Sequence, residues 1–110
     1  MTEADLVSRA LSGESGLPVF QSQDLILERL VRPSYPEEAR ERGSEGRVGV
    51  IAHVDTFGNI VEAALLDRSG DAQLDGAAVD AVRKCQFRPY REGRAAREVY
   101  AVFRFNFRIY

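Results

Sequence analysis

The sequence has little of what many enzymes and extracellular domains require. It contains one cysteine, Cys85, and one histidine, His53, among 110 residues. A single cysteine excludes an internal disulfide framework, and one cysteine with one histidine does not supply a zinc site. The sequence also has no glycine-rich phosphate loop and no G-x-S-x-G nucleophile motif. We therefore expect a protein that is not an enzyme, with no catalytic residues, no cofactor and no metal site.

Long apolar runs are missing as well. No stretch approaches the roughly 18–20 consecutive apolar residues of a membrane span. The first residues, MTEADLVSRALSGE, are acidic and do not have the pattern of a signal peptide. With 45% hydrophobic and 29% charged residues, the chain has the balance of one globular domain. The sequence therefore predicts a single domain without a membrane span or export signal in these 110 residues.

Charge is distributed unevenly, although the net charge is only −2. Residues 81–110 carry eight basic and two acidic residues, whereas acids exceed bases in the rest of the chain. Such a segment with interleaved aromatic residues can bind nucleic acid, but a pI of about 5.4 argues against it. We expect a solvated basic surface with no nucleic-acid partner, and protein docking as the main alternative.

The most regular pattern lies at the C-terminal end. Apolar and polar positions alternate over residues 97–110, which are rich in aromatic and β-branched types. This alternation predicts a long strand with one buried face. Its phenylalanines, Phe103, Phe105 and Phe107, are expected in the core and not on a base-stacking surface.

Two helices and a hairpin are predicted before this strand. Apolar residues recur at helical spacing over residues 74–85, after Asp71 as a candidate N-cap. Residues 48–54 and 60–68 alternate around the turn Thr56-Phe57-Gly58-Asn59, which predicts a β-hairpin. Residues 34–43 predict a short helix with Pro36 in its first turn. His53 is expected to be partly exposed on the sheet, and Cys85 to be a buried structural thiol.

These elements predict an α+β fold: a three-stranded antiparallel sheet with two helices packed on one face, plus an N-terminal arm. The arm comprises residues 1–32 and the domain residues 33–110. Apolar residues at 6, 7, 10 and 11 indicate a short amphipathic helix, and residues 25–31 are either a strand or a helical turn. Residues 90–96 predict a basic loop. The second face of the sheet is too apolar to be fully exposed, so the arm or a second copy is expected to cover it.

In this order, the segments resemble the C-terminal domain of TonB, the energy transducer of Gram-negative envelopes. The matching segments are Arg32-Pro33-Ser34-Tyr35-Pro36-Glu37-Glu38-Ala39, residues 46–50, residues 54–61, Leu74-Asp75, residues 78–83, Phe87-Arg88-Pro89 and residues 99–106. Cys85 stands where the family commonly has tryptophan. The transducer's membrane helix and proline-rich linker are not among these residues, so the sequence predicts an excised domain or a TonB-like fold with another role.

The resemblance implies a periplasmic protein-interaction domain of an inner-membrane-anchored protein. Its partner would be the TonB-box peptide of an outer-membrane receptor, or another envelope protein. An extended peptide can add to the exposed edge of a small sheet. The expected ladder consists of Val99, Tyr100, Ala101, Val102, Phe103, Arg104, Phe105 and Asn106. By the same resemblance, Arg32, Pro33, Ser34 and Tyr35 flank the docking site, and basic residues over 88–97 steer an acidic peptide.

The alternative is a homodimerising or scaffolding module of an envelope or signalling complex, without a receptor and without energy coupling. A membrane helix and proline-rich linker in a longer parent chain would favour the transducer.

Overall fold

The alternating segments form the centre of the molecule in a computed structural model, which describes residues 3–110. Within that range the elements, in chain order, are α1 (Glu3–Ser12), β1 (Val19–Gln21), β2 (Leu27–Arg29), α2 (Glu37–Glu41), β3 (Gly46–Val54), β4 (Ile60–Asp67), α3 (Ala72–Arg83), β5 (Gln86–Phe87), β6 (Tyr90–Glu92), β7 (Ala95–Arg97) and β8 (Val99–Phe107). A 3₁₀ turn, Ser22–Asp24, follows β1. Among these residues, none of the helices has the length and apolar character of a membrane span.

The main sheet differs from the predicted three-stranded antiparallel one. In the described part of the chain it has four strands in the order β1-β8-β3-β4. Strand β3 runs antiparallel to both β4 and β8, and β1 joins the outer side of β8 in parallel. The three-strand prediction was wrong because a strand of only three residues is too short to show a period.

One face of the sheet carries the larger core. Alternate residues of β3 and β8, including Val50, Phe103 and Phe107, pack there against α3. Helix α2 contributes Ala39, which is fully buried in the same cluster. The predicted N-cap of α3 is present, because the Asp71 carboxylate accepts a 2.8 Å hydrogen bond from the Gln73 amide. These two helices therefore lie on one face, as the sequence predicts.

Helix α1 covers the opposite face. Its Leu6 and Ala10 are buried against residues of β3, β4 and β8, namely Ile51, Ala64, Tyr100 and Val102. Arg9 adds a 2.8 Å ion pair with Glu62 of β4. In the described residues, α1 therefore covers part of this face, where the sequence analysis expected either the N-terminal arm or a second copy. Residues 1 and 2 of the predicted arm lie outside the part of the chain that the structure describes.

The β3–β4 turn has the predicted position and a specific backbone requirement. The Asp55 carboxylate accepts 2.9 Å hydrogen bonds from the amides of Phe57 and Asn59. Gly58 has a φ of +86°, and a Cβ atom there would lie 1.9 Å from the carbonyl oxygen of Phe87. Only glycine fits this site, because both the left-handed backbone and the close approach exclude a side chain.

Several local predictions require correction. Residues 90–96 are not a plain loop, because most of them form the β6–β7 hairpin, with Tyr90 opposite Arg97. Strand β8 ends at Phe107, so Ile109 and Tyr110 are exposed instead of continuing the strand. Helix α2 is shorter than residues 34–43, with Pro36 preceding its first residue. Residues 25–31 contain β2, which pairs with β5, and Cys85 is buried as predicted.

Candidate functional site

The outer edge of β8 is half occupied. Strand β1 pairs with it in the register Val19 to Tyr100, Phe20 to Ala101 and Gln21 to Val102. The Tyr100 amide donates a 2.9 Å hydrogen bond to the carbonyl of Pro18. Because successive amides along a strand point to opposite sides, those of residues 102, 104 and 106 also face this edge. Among residues 3–110, no strand pairs with this edge beyond Val102.

A groove of about 440 Å³ runs beside the unoccupied half of this edge. Residues that precede α2 form one wall, and the end of β8 with the residue after it forms the other. The lining residues are Leu30, Arg32, Pro33, Tyr35, Arg104, Phe105, Asn106, Phe107 and Arg108. The groove therefore places apolar and basic side chains next to backbone groups that a second strand can use.

Tyr35 fixes the position of the first wall. Its ring meets that of Phe107 edge-on, with centroids 5.4 Å apart, and its hydroxyl donates to the carbonyl of Ser44. The guanidinium of Arg40 lies 5.1 Å from the ring centroid on the outer side. Burial raises the pKa of the Tyr35 phenol, so it remains a neutral hydrogen-bond donor at physiological pH. Tyr35 is thus a rigid wall residue held by α2 and β8.

The groove is basic. Three arginines line it (Arg32, Arg104 and Arg108), and none of its lining residues is acidic. Arg104 also pairs with Asp67 at 2.8 Å, but both side chains are more than half exposed, and an exposed pair of this kind is weak. The basic residues over 88–97, which the sequence analysis assigned to steering, do not line this groove.

The structure brings together six of the predicted site residues. Arg32, Pro33, Tyr35, Arg104, Phe105 and Asn106 line one groove. Ser34 does not line this groove; it lines a second depression beside α3, which shares Arg32 and Pro33 with the groove. Val99, Ala101 and Phe103 are buried in the core, and the outer edge at Tyr100 and Val102 is taken by β1.

Sequence reasoning missed two parts of this site. Leu30, Phe107 and Arg108 line the groove but were not in the predicted set. Strand β1 was missed because its only local signal is the apolar pair Val19-Phe20 after Pro18. A pair of apolar residues does not distinguish a strand from a loop that covers the core.

His53 lies on the sheet and contacts Glu98 and Tyr100. Its Nε2 lies 2.8 Å from Oε1 of Glu98, and its ring lies 5.2 Å from the ring of Tyr100. Its side chain is 17% exposed, which matches the prediction of a partly exposed sheet residue. In the described part of the chain, no cluster of three His, Cys, Asp or Glu side chains has the arrangement of a metal site.

The family model and the similar proteins described below all point to the same family. Residues 31–109 match the family model described as the Gram-negative bacterial TonB protein C-terminal domain. The chain is 33% identical over 81 residues to protein TonB of Vibrio cholerae serotype O1, covering 74% of this chain and 33% of that protein. It is 36% identical over 66 residues to protein TonB of Xanthomonas campestris, covering 60% of this chain and 30% of that protein. The chain thus spans about one third of the length of these relatives.

Solved structures agree with this match. The solution structure of the TonB C-terminal domain of Pseudomonas aeruginosa superposes with a TM-score of 0.65 at 29% identity, covering 84% of this chain and 94% of that one. The TonB2 protein of Vibrio anguillarum superposes with a TM-score of 0.61 at 27% identity, covering 82% and 83%.

Proposed function

The chain belongs to the family of Gram-negative bacterial TonB C-terminal domains, and from this premise we propose that it is the partner-binding domain of a TonB-type energy transducer. In this proposal the domain lies in the periplasm as part of an inner-membrane-anchored protein. It binds an extended peptide, the TonB box of an outer-membrane receptor, by adding that peptide as a strand to β8. The domain supplies binding and not chemistry.

One observation carries this proposal. The amides of Arg104 and Asn106 face an edge that, over residues 3–110, has no strand partner, and a groove with an apolar and basic lining runs beside it. Each hydrogen bond to a peptide backbone contributes on the order of 1 kcal/mol. Since these bonds are independent of sequence, specificity has to come from alternate peptide side chains that enter the groove.

The lining of the groove favours a peptide with both apolar and acidic residues. Leu30, Pro33 and Tyr35 offer apolar contact on one wall, and Leu30 is 47% exposed. Arg32, Arg104 and Arg108 attract a carboxylate, and such attraction raises the rate of association more than the final affinity. A peptide that places one acidic residue beside an apolar one therefore fits best.

Backbone NMR with synthetic peptides tests this proposal. The peptides correspond to the TonB boxes of outer-membrane receptors from the source bacterium. We expect the largest shift changes at the amides of Arg104 and Asn106, together with Arg32 and Tyr35. Shift changes confined to the outer edge of β4, or none with any peptide in the panel, would contradict docking at β8.

The same open edge also supports the second candidate, a homodimer. Two copies can pair through residues 103–107, and the exposed Leu30 and Ile109 lie near this part of the chain. A mass of two chains by light scattering, reduced to one chain by added receptor peptide, indicates a dimer that competes with docking. A dimer that persists with saturating peptide uses another surface.

A further inference from the structure

Strand β1 occupies the kind of position that a docked peptide would take. It is a separate three-residue strand, and the turn Ser22–Asp24 directs the chain away immediately after it. The Tyr100 amide donates its hydrogen bond to the carbonyl of Pro18, the residue just before β1. The outward-facing amide at the start of the edge is therefore already paired. A longer peptide that paired with the whole of β8 could not coexist with β1 at residues 100–102.

One side chain anchors β1. Phe20 lies opposite Ala101, a fully buried residue whose small side chain leaves space on that face of the sheet. The ring of Phe20 lies 4.9 Å from the ring of Tyr90, and it packs against the larger core. Val19, which is 41% exposed, points to the other side. The slot beside Ala101 and Tyr90 therefore accepts one aromatic or large apolar residue from a parallel strand.

The connection from α1 keeps β1 close to the edge through a short turn, in which the Gly16 amide donates a 3.1 Å hydrogen bond to the Gly13 carbonyl. Gly13 and Gly16 have φ values of 76° and 71°, and a Cβ atom at either would contact nothing within 4 Å. Helix α1 itself is seated by Leu6 and Ala10 on the second face of the sheet. A short tether gives β1 a high effective concentration at the edge, although three residues form few hydrogen bonds.

We propose that β1 is an internal occupant of the peptide-binding edge, and that a partner peptide replaces it while α1 stays docked. This inference rests on the proposed function, since it concerns the same edge. It also defines the partner further: an extended peptide that runs parallel to β8 and places a bulky apolar residue opposite Ala101. The peptide continues past β1 into the groove beside Arg104 and Asn106.

The chain's own segment is the probe for this proposal. A synthetic peptide of residues 17–24 (LPVFQSQD) is titrated into the wild-type chain and into Phe20→Ala, which lacks the anchor. Because a bound internal strand reduces the competent fraction, we expect Phe20→Ala to bind the peptide roughly tenfold more tightly than wild type. Val19→Ala is the matched control: it changes the same strand on its exposed side and should bind as wild type does. Equal binding to all three proteins, or none, would overturn the proposal.

A second measurement uses the unmodified chain and does not depend on either variant folding. If β1 leaves the edge transiently, the Tyr100 amide should exchange with solvent at least about tenfold faster than the Ala101 amide. Equal protection of the two amides would show that β1 is a fixed part of the sheet. A different result would separate the two proposals. If the Tyr100 amide exchanges faster than the Ala101 amide but no receptor peptide binds, the proposed function is wrong and the edge under β1 serves another partner.

Discussion

The Tyr100 amide donates its hydrogen bond to the carbonyl of Pro18, across the outer edge of β8. This bond fixes the orientation of every amide along that strand. Amides of residues 100, 102, 104 and 106 point outward, whereas those of 101, 103 and 105 point to β3. The first outward positions are paired with β1, and the later ones are available to a partner.

Proline substitutions should distinguish the two sets of amides. Arg104→Pro removes an outward donor at an edge, where proline is tolerated, so the domain should fold but lose peptide binding. Arg104→Ala keeps the amide but loses the ion pair with Asp67 and one positive charge of the groove, so it should lose clearly less peptide affinity than Arg104→Pro. Ala101→Pro removes a donor to β3 and should destabilise the domain by about 1–3 kcal/mol or more.

Urea unfolding and peptide titration of the three variants provide the measurements. Normal peptide binding by folded Arg104→Pro would exclude docking by the backbone of this edge.

Two leucines of α1 should differ strongly in how much they contribute to the stability of the domain. Leu6 is 1% exposed, whereas Leu11 is 62% exposed. Leu6→Ala should cost about 2–5 kcal/mol, because it leaves a cavity against Ile51 and Tyr100. Leu11→Ala should change the unfolding free energy by no more than about 0.5 kcal/mol. Chemical denaturation compares the two, and equal effects would mean that α1 does not pack as described.

Gly58 should be the least replaceable of the glycines with positive φ. Gly58→Ala adds a methyl group that would overlap the Phe87 carbonyl, so the β3–β4 turn would have to move away from β5. Gly93→Ala is the control: Gly93 has a φ of 63°, but a Cβ atom there contacts nothing within 4 Å. The control should lose about 1–2 kcal/mol from backbone strain alone. Gly58→Ala should lose clearly more in the same urea titration, and similar losses would refute the close approach.

Asp71 should make the stability of the domain depend on acid pH. Hydrogen bonds from Ser44, Arg42 and the Gln73 amide lower the pKa of this carboxyl from 3.8 to about 2. Because this pKa is lower in the folded protein than in the unfolded one, the ionised carboxylate stabilises the folded state at pH values above 3.8. This stabilisation is lost as the pH falls through about 2. Asp71→Asn keeps a good helix cap but does not titrate.

The comparison with Asp71→Asn isolates this group from the other carboxylates. Between about pH 5 and pH 2, the unfolding free energy of the wild type should fall more steeply than that of the variant. Parallel curves from urea titrations across this range would show that the Asp71 carboxylate is not held as described.

The sequence by itself determined the elements whose pattern repeats over many residues. Strands β3, β4 and β8 each have at least eight residues, and α3 shows an apolar stripe that begins after the Asp71 cap. Such periods are local, because each side chain's direction follows from its neighbours along the chain. For the same reason the alternation identified Phe103 and Phe107 as core residues, and the helical stripe identified Cys85 as buried.

Only the tertiary structure decided what lies on the two sides of β8. Alternation assigns side chains to faces, but it does not say which neighbour the amide of Tyr100 or Ala101 reaches. That depended on β3 on one side and the three-residue β1 on the other. The groove has the same origin, because Arg32 and Arg104 line it together only when the segment before α2 packs beside β8. A groove built from residues so far apart in sequence follows from the free energy of the whole fold, which no local pattern records.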